Sequence, residues 1–120
     1  MKRTILIVDD EFGITEVVAE VLEERGYETL VASNGALGLS CALEKRPDLI
    51  LLDAMMPIMS GPEMLDTLRK DPRFTATPVV MMTAVPEALP DDSQFQAALH
   101  KPFTVQTLLS TIERLLARTE

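Results

Sequence analysis

Apolar residues come in short unbroken runs separated by longer amphipathic stretches. Residues 4–9, TILIVD, are nearly continuous in apolar and β-branched side chains, the pattern of a strand covered on both faces. Ile14, Val17, Val18, Val21 and Leu22 then fall at i, i+3, i+4, i+7 and i+8, which is one stripe of an amphipathic helix. Gly26 follows and can take the left-handed stop. ETLVAS (28–33) reads as a second strand. Residues 35–46 put Ala36, Leu39 and Leu43 on one helical face and close at Pro47. DLILLD (48–53) is a third strand. Pro62 suits the first turn of a helix whose inward face is Met64, Leu65 and Leu68, with Pro72 beyond its end. TPVVMMT (77–83) is a fourth strand and AALH (97–100) a short fifth. Between them AVPEALPDDSQFQ holds Pro86 and Pro90 and few apolar repeats, leaving room for little helix. Val105, Leu108, Leu109, Ile112, Leu115 and Leu116 predict a last helix.

Strands alternating with helices across short connections predict an α/β fold. Its form is a (βα)5 doubly wound, five-stranded parallel sheet with right-handed crossovers, the fourth helix short or missing. Ligands of such sheets bind beyond the carboxyl ends of the strands, so what collects there decides the chemistry.

Composition narrows the setting. The 120 residues, 47% hydrophobic and 25% charged, suit one globular domain spanning 1–120. The apolar runs are far too short to span a membrane. MKRTILIVDD begins basic and then apolar, but its apolar stretch stops at Asp9, too early for an export signal. One cysteine, Cys41, excludes an intrachain disulfide. A cytoplasmic location is therefore expected. The formal net charge of −8 argues against direct contact with nucleic acid or anionic membranes.

The first strand ends at Asp9-Asp10, with Glu11 next. The third ends at Asp53, the fourth at Thr83, and the fifth just before Lys101-Pro102. If the first and third strands are neighbours, three carboxylates crowd one rim. Two such charges ~5 Å apart repel by roughly 3 kcal/mol at an effective dielectric near 20. A hard divalent cation relieves this, and oxygen ligands without His or Cys favour Mg²⁺. Lys101 adds an ammonium and Thr83 a hydroxyl. Together these groups can hold a transferring phosphoryl group.

The chain resembles a response-regulator receiver domain of two-component signalling over essentially its whole length. The residues that carry the resemblance are Asp9-Asp10, Asp53 with Pro57 and Gly61 behind it, Thr83-Ala84, and Lys101-Pro102-Phe103. It implies strand order 2-1-3-4-5, and phosphorylation of Asp53 by a sensor histidine kinase or histidine phosphotransfer protein. It implies Mg²⁺ held by Asp9, Asp10, Asp53 and the backbone carbonyl of Met55, with Asp10 a direct ligand and Asp9 a water-mediated one. Thr83 and Lys101 become switch and catalytic residues, and the Lys101-Pro102 peptide is expected to be cis. Such a domain catalyses only its own phosphorylation and dephosphorylation. The sequence names no cognate kinase and no downstream effector, and it leaves a homodimer open.

Each residue also has a plainer reading. Asp9 and Asp10 could cap the first helix, Asp53 could open a turn, Lys101 could be a solvated charge, and Thr83 an ordinary strand residue. Met55, Met56, Met59, Met64, Met81 and Met82 read as core filling. Cys41 reads as a packing residue and His100 as a strand-end side chain. Competing functions fare worse. A haloacid-dehalogenase-type phosphatase needs Asp-x-Asp after the first strand and a cap domain, and a dinucleotide site needs a Gly-rich loop there. A non-phosphorylated protein-binding module of the same fold remains the alternative.

The chain departs from the family in one region. The family usually carries an aromatic residue three before the active-site lysine; here that position is Ala98. The segment between Thr83 and Lys101 is also shorter than usual. Phe95 or Phe103 could take the place of that ring, which the spacing alone does not show. The active site is expected to be intact and the read-out altered.

Overall fold

The computed structural model describes residues 2–89 and 94–118. Nine elements follow in order: β1 (Thr4–Val8), α1 (Phe12–Glu24), β2 (Glu28–Ala32), α2 (Gly35–Lys45), β3 (Leu49–Asp53), α3 (Gly61–Arg69), β4 (Val79–Thr83), β5 (Ala97–His100) and α4 (Val105–Ala117). The five strands form one parallel sheet in the order β2-β1-β3-β4-β5. Its three inner strands are apolar on both faces because both faces are covered. Ile5, Ile7, Leu49, Leu51, Val80 and Met82 meet α1 and α4 on one side. Leu6, Val8, Ile50, Leu52, Val79 and Met81 meet α2 and α3 on the other.

Local chemistry sets the boundaries. Gly26 takes φ 90°, the left-handed conformation that ends α1. Ser60 and Glu63 form a reciprocal capping box at the start of α3, and Thr104 caps α4 through Thr107 N–H.

Two helical faces differ from the pattern. In α1, Val17 is exposed and Thr15 is buried; the Thr15 hydroxyl donates to Phe12 O at 2.9 Å, so its burial leaves no polar group unmet. In α2 the buried positions are Gly35, Gly38 and Ala42, while Leu43 faces solvent. The cause is close approach: a Cβ on Gly38 would lie 2.9 Å from the Val8 methyls and 3.0 Å from Met64 Sδ. Between β4 and β5 the described residues hold only a 3₁₀ turn, Pro86–Ala88. Residues 90–93, which include Pro90, lie outside the described residues.

Candidate functional site at the carboxyl edge of the sheet

Parallel pairing puts Val8 beside Leu52 and Met82 beside Asp53. The residues that follow β1, end β3 and follow β5 therefore share one edge. Asp9 is 1% exposed, Asp53 5% and Thr83 3%. Gly61 N–H donates to Ala54 O at 3.1 Å, folding the loop after Asp53 back on the strand. Any side chain at Gly61 would run into the Asp53 carbonyl oxygen and the Ala54 Cα, so glycine is required for this return.

The cation and the carboxylates meet directly. Lys101 Nζ lies 2.9 Å from Asp9 Oδ2, 3.1 Å from Glu11 Oε1 and 3.2 Å from Asp53 Oδ1. Lys101 N–H donates to Thr83 O at 2.8 Å, which fixes the start of its loop. The Lys101-Pro102 peptide is cis. One oxygen each from Asp9, Asp10 and Asp53 lie within 4.8 Å of one another. Asp10 is the exposed member, and it shares a hollow with Ala54, Met55, Met56, Pro57 and Ser60.

Electrostatics follow from this crowding. Burial, and then the neighbouring Asp9 charge, push the Asp53 carboxyl up to about 6, although Lys101 opposes the shift. Burial alone would pull the Lys101 ammonium down. The hydrogen bond and charge of Asp9, with Asp53 and Glu11 behind, outweigh it and raise the ammonium above its ordinary value. Lys101 thus stays charged at neutral pH, yet one positive charge does not balance the carboxylates around it. The donors are all oxygens, with no histidine or cysteine among them. The set fits a hard divalent cation.

The structure distributes the other candidates differently. The Thr83 hydroxyl donates to Val85 O and accepts from Val85 N–H, both at 2.9 Å, in a short side-chain turn. Met55 is 61% exposed, so the core-filling reading fails for this residue; Met64, Met81 and Met82 are fully buried and bear it out. Met56 and Met59 are half-buried, His100 is exposed, and Cys41 is half-buried against the α2–α3 core. Ala98 is exposed on β5, with no ring to turn inward. Phe95 packs on the α2–α3 side and Phe103 on the α1–α4 side.

Two residues here had no role assigned from sequence. Glu11 follows the acidic pair directly, and that adjacency was its only signal. Arg69 had none. Its guanidinium donates to Phe74 O at 2.5 Å, Gln94 O at 2.8 Å and Gln96 Oε1 at 3.1 Å, tying α3 to the approach to β5.

Known proteins resemble this chain in sequence and fold. The response regulator receiver domain family matches residues 5–113. The phosphate regulon transcriptional regulatory protein PhoB of Pseudomonas aeruginosa is 38% identical over 98% of this chain and 53% of its own length. The DNA-binding response regulator MtrA of Mycolicibacterium smegmatis is 36% identical over 100% of this chain and 53% of its own. The chain thus spans about half the length of the curated relatives it matches. Among solved structures, Vibrio cholerae chemotaxis protein CheY4 superposes with a TM-score of 0.89 at 33% identity, covering 96% of this chain and 99% of that one. The signal receiver domain of a histidine kinase from Syntrophus aciditrophicus gives 0.90 at 30% identity, covering 98% and 92%. With the matched span and the strand order in agreement, the chain belongs to the response regulator receiver domains of two-component signalling.

Proposed function

We propose that Asp53 is the phosphoacceptor of this receiver, taking a phosphoryl group from a phosphohistidine on a sensor histidine kinase or histidine phosphotransfer protein. One observation carries the reading: Asp53, presented by the end of a buried strand, lies 3.2 Å from the Lys101 ammonium and beside Asp9 and Asp10. An Asp53 carboxylate oxygen attacks phosphorus, the phosphorus–nitrogen bond of the donor breaks, and the imidazole nitrogen keeps the electron pair and is then protonated. The strand holds the nucleophile in place, and positioning supplies much of the catalysis of phosphoryl transfer. Lys101 offers positive charge to the phosphoryl oxygens. Thr83 offers a hydroxyl once it releases Val85.

Asp9, Asp10, Asp53 and the Met55 carbonyl would hold Mg²⁺, with Asp9 acting through water. Asp9 Oδ1 accepts from the Glu11 N–H at 2.9 Å, which keeps that oxygen from direct ligation, while Oδ2 accepts from Lys101 and is the oxygen that a metal-bound water would claim. When bound, Mg²⁺ supplies neutralising charge to the transferring group. The domain catalyses its own phosphorylation and dephosphorylation and turns over no separate metabolite. No described helix is long and apolar enough to cross a membrane, in keeping with a cytoplasmic site of action. We assign residues 1–120 to a single receiver domain whose signal passes to a protein partner or effector domain. With an intact acidic set in reach of Lys101, no feature favours a non-phosphorylated module.

The test is incubation with Mg²⁺ and a small acyl phosphate. A hydroxylamine-labile adduct is expected on the wild type and absent from Asp53→Asn. Absence from both, or equal labelling of both, refutes the assignment. Asp10→Ala should weaken Mg²⁺ binding and with it phosphorylation; unchanged Mg²⁺ affinity would remove Asp10 from the ligand set.

A further inference from the structure

We propose that Glu11 is a positioning residue for Lys101. It holds the ammonium at the rim of the site when Asp9 and Asp53 turn to a divalent cation or a phosphoryl group. The inference rests on the metal site proposed above and adds a residue to it.

Glu11 is the N-cap residue of α1, yet its side chain makes no capping hydrogen bond. Glutamate is a poor cap by reach, and here the carboxylate is aimed elsewhere, at Lys101 Nζ 3.1 Å away. Its backbone N–H is committed to Asp9 Oδ1. One residue thus holds Asp9 with its main chain and the partner of Asp9 with its side chain.

The three carboxylates around Lys101 are not equivalent. The Asp9 and Asp53 side chains are 0% and 7% exposed, and that of Glu11 is 58% exposed. Asp9 and Asp53 belong to the acidic group that can hold a metal; Glu11 does not. A cation entering that group competes with Lys101 for the same oxygens. Without Glu11, the displaced ammonium, only 11% exposed, is left in a confined place with no anion of its own. With Glu11 it keeps one partner throughout, and stays within reach of Asp53.

Bare charge makes a different prediction from contact. If Glu11 acts only through its field, neutralising it weakens Mg²⁺ binding whether or not Lys101 is present. If it acts by taking Lys101, the effect vanishes with Lys101. The experiment is a double-mutant cycle on Mg²⁺ affinity, measured by calorimetry on wild type, Glu11→Gln, Lys101→Met and the double variant. Glu11→Gln should lower affinity about fivefold, the scale of one partly exposed ion pair, and by less than about twofold in the Lys101→Met background. Equal effects in both backgrounds overturn the proposal while leaving the metal site standing. No Mg²⁺ binding by the wild type overturns both.

A second measurement does not depend on Lys101→Met folding. Proton–nitrogen spectra of the lysine ammonium groups should show a protected Lys101 signal that persists at Mg²⁺ saturation in the wild type. In Glu11→Gln it should be lost to rapid exchange. Persistence in both proteins refutes the holding role.

Discussion

The acidic edge and the segment that joins β4 to β5 sit side by side and are built in opposite ways. At the edge, the buried acceptor strand and its acidic neighbour are tied into the surrounding backbone. Asp53 ends a fully buried strand, Gly61 folds the following loop against it, and Asp9 uses both oxygens. The described residues of 84–96 have fewer such ties. They hold one 3₁₀ turn, with the Thr83–Val85 pair at one end and, at the other, Arg69 on Gln94 and Gln96 and the Gln96 N–H on Val79 O at 3.0 Å. Leu89 and Phe95 are only partly buried against the α2–α3 core. Elements held by a few side-chain bonds open at lower free energy than those held by buried ladders. The proposed reaction thus falls on the firmly held edge, and its proposed consequence on the less firmly tied residues 84–89 and 94–96.

The largest expected effect comes from damaging the rigid region. Gly61→Ala drives a Cβ into the Asp53 carbonyl and the Ala54 Cα. Both obstacles are backbone, so relief requires the acceptor strand itself to move. A loss of roughly 3 kcal/mol is expected, at the upper end of ordinary overpacking, with slower phosphorylation among the molecules still folded. Gly13→Ala is the control: nothing lies within 4 Å of its added Cβ, and replacing a helical glycine should stabilise by about 0.5–1 kcal/mol. Urea unfolding of the pair checks the contrast. Equal stabilities would show that the loop after Asp53 is not tightly seated.

The described residues between β4 and β5 should break separately. Arg69→Ala removes the donor to Phe74 O, Gln94 O and Gln96 Oε1, at a cost of about 2 kcal/mol for bonds to a charged group. Gln96 Oε1 also accepts from Val79 N–H at 2.7 Å, so the amides of 94–97 and Val79 should exchange faster. Phosphorylation of Asp53 by an acyl phosphate should keep its wild-type rate. A slowed reaction would mean that the two regions are mechanically one. Phosphorylation itself is expected to loosen the other end. Drawing the Thr83 hydroxyl to the phosphoryl oxygens strips Val85 of both its bonds to that hydroxyl, so exchange should rise within 84–96. Changes confined to α4 would refute this route.

Much of this contrast can be read along the chain, and the exceptions share a cause. The runs at 4–8, 49–53 and 79–83 announce buried parallel strands because both faces of each are covered. Strand ends then bring Asp9, Asp53 and Lys101 to one edge. The buried face of α2 was hidden because Gly35, Gly38 and Ala42 are selected for small size at a close approach, which hydrophobicity does not report. Val17 lay on the apolar stripe of α1 but faces solvent. The Lys101–Glu11 pair spans 90 positions and the Arg69–Gln96 bond 27. No periodicity encodes such contacts. They exist only once the sheet has assembled.

Removing the acceptor charge should strengthen the metal-free rigid region. In the folded protein the Asp53 carboxyl is raised to about 6, mainly by burial. A raised folded pKa means that the protonated form is favoured in the fold. Its contribution is therefore fully present below about pH 4 and is lost as pH rises through about 6. A rise from the ordinary carboxylate range to about 6 bounds the penalty at pH 7 to ~3 kcal/mol. That shift already counts the Lys101 contact, and local relaxation and solvent screening reduce the figure, so Asp53→Asn should gain about 1–2 kcal/mol at pH 7 without Mg²⁺. The gain should shrink towards zero near pH 4. A gain independent of pH would show that ionisation of Asp53 is not its source.

The smallest effect concerns how long the phosphorylated state lasts. Hydrolysis of an aspartyl phosphate needs water in line with phosphorus, opposite the Asp53 oxygen. By analogy with the family, the side chains placed to orient or exclude that water are two past the acceptor and two past the threonine, here Met55 and Val85. Both are exposed, at 61% and 43%, and neither side chain can hold water by a strong hydrogen bond. Met55 stands over the hollow beside Asp10, and Val85 carries the backbone groups that hold Thr83. Slow self-dephosphorylation is therefore expected. Polar replacements at both positions, Met55→Asn with Val85→Glu, should speed phosphate loss by about tenfold, or ~1.4 kcal/mol of barrier. Residues 84–89 offer the competing outcome. If phosphorylation opens residues 84–89 enough to admit water, the two side chains no longer guard the approach and the double variant decays at the wild-type rate. Comparing the variant alone with the variant in an Arg69→Ala background separates the cases. Side-chain control predicts the same acceleration in both, whereas loop control predicts that Arg69→Ala alone shortens the lifetime and the polar pair adds nothing.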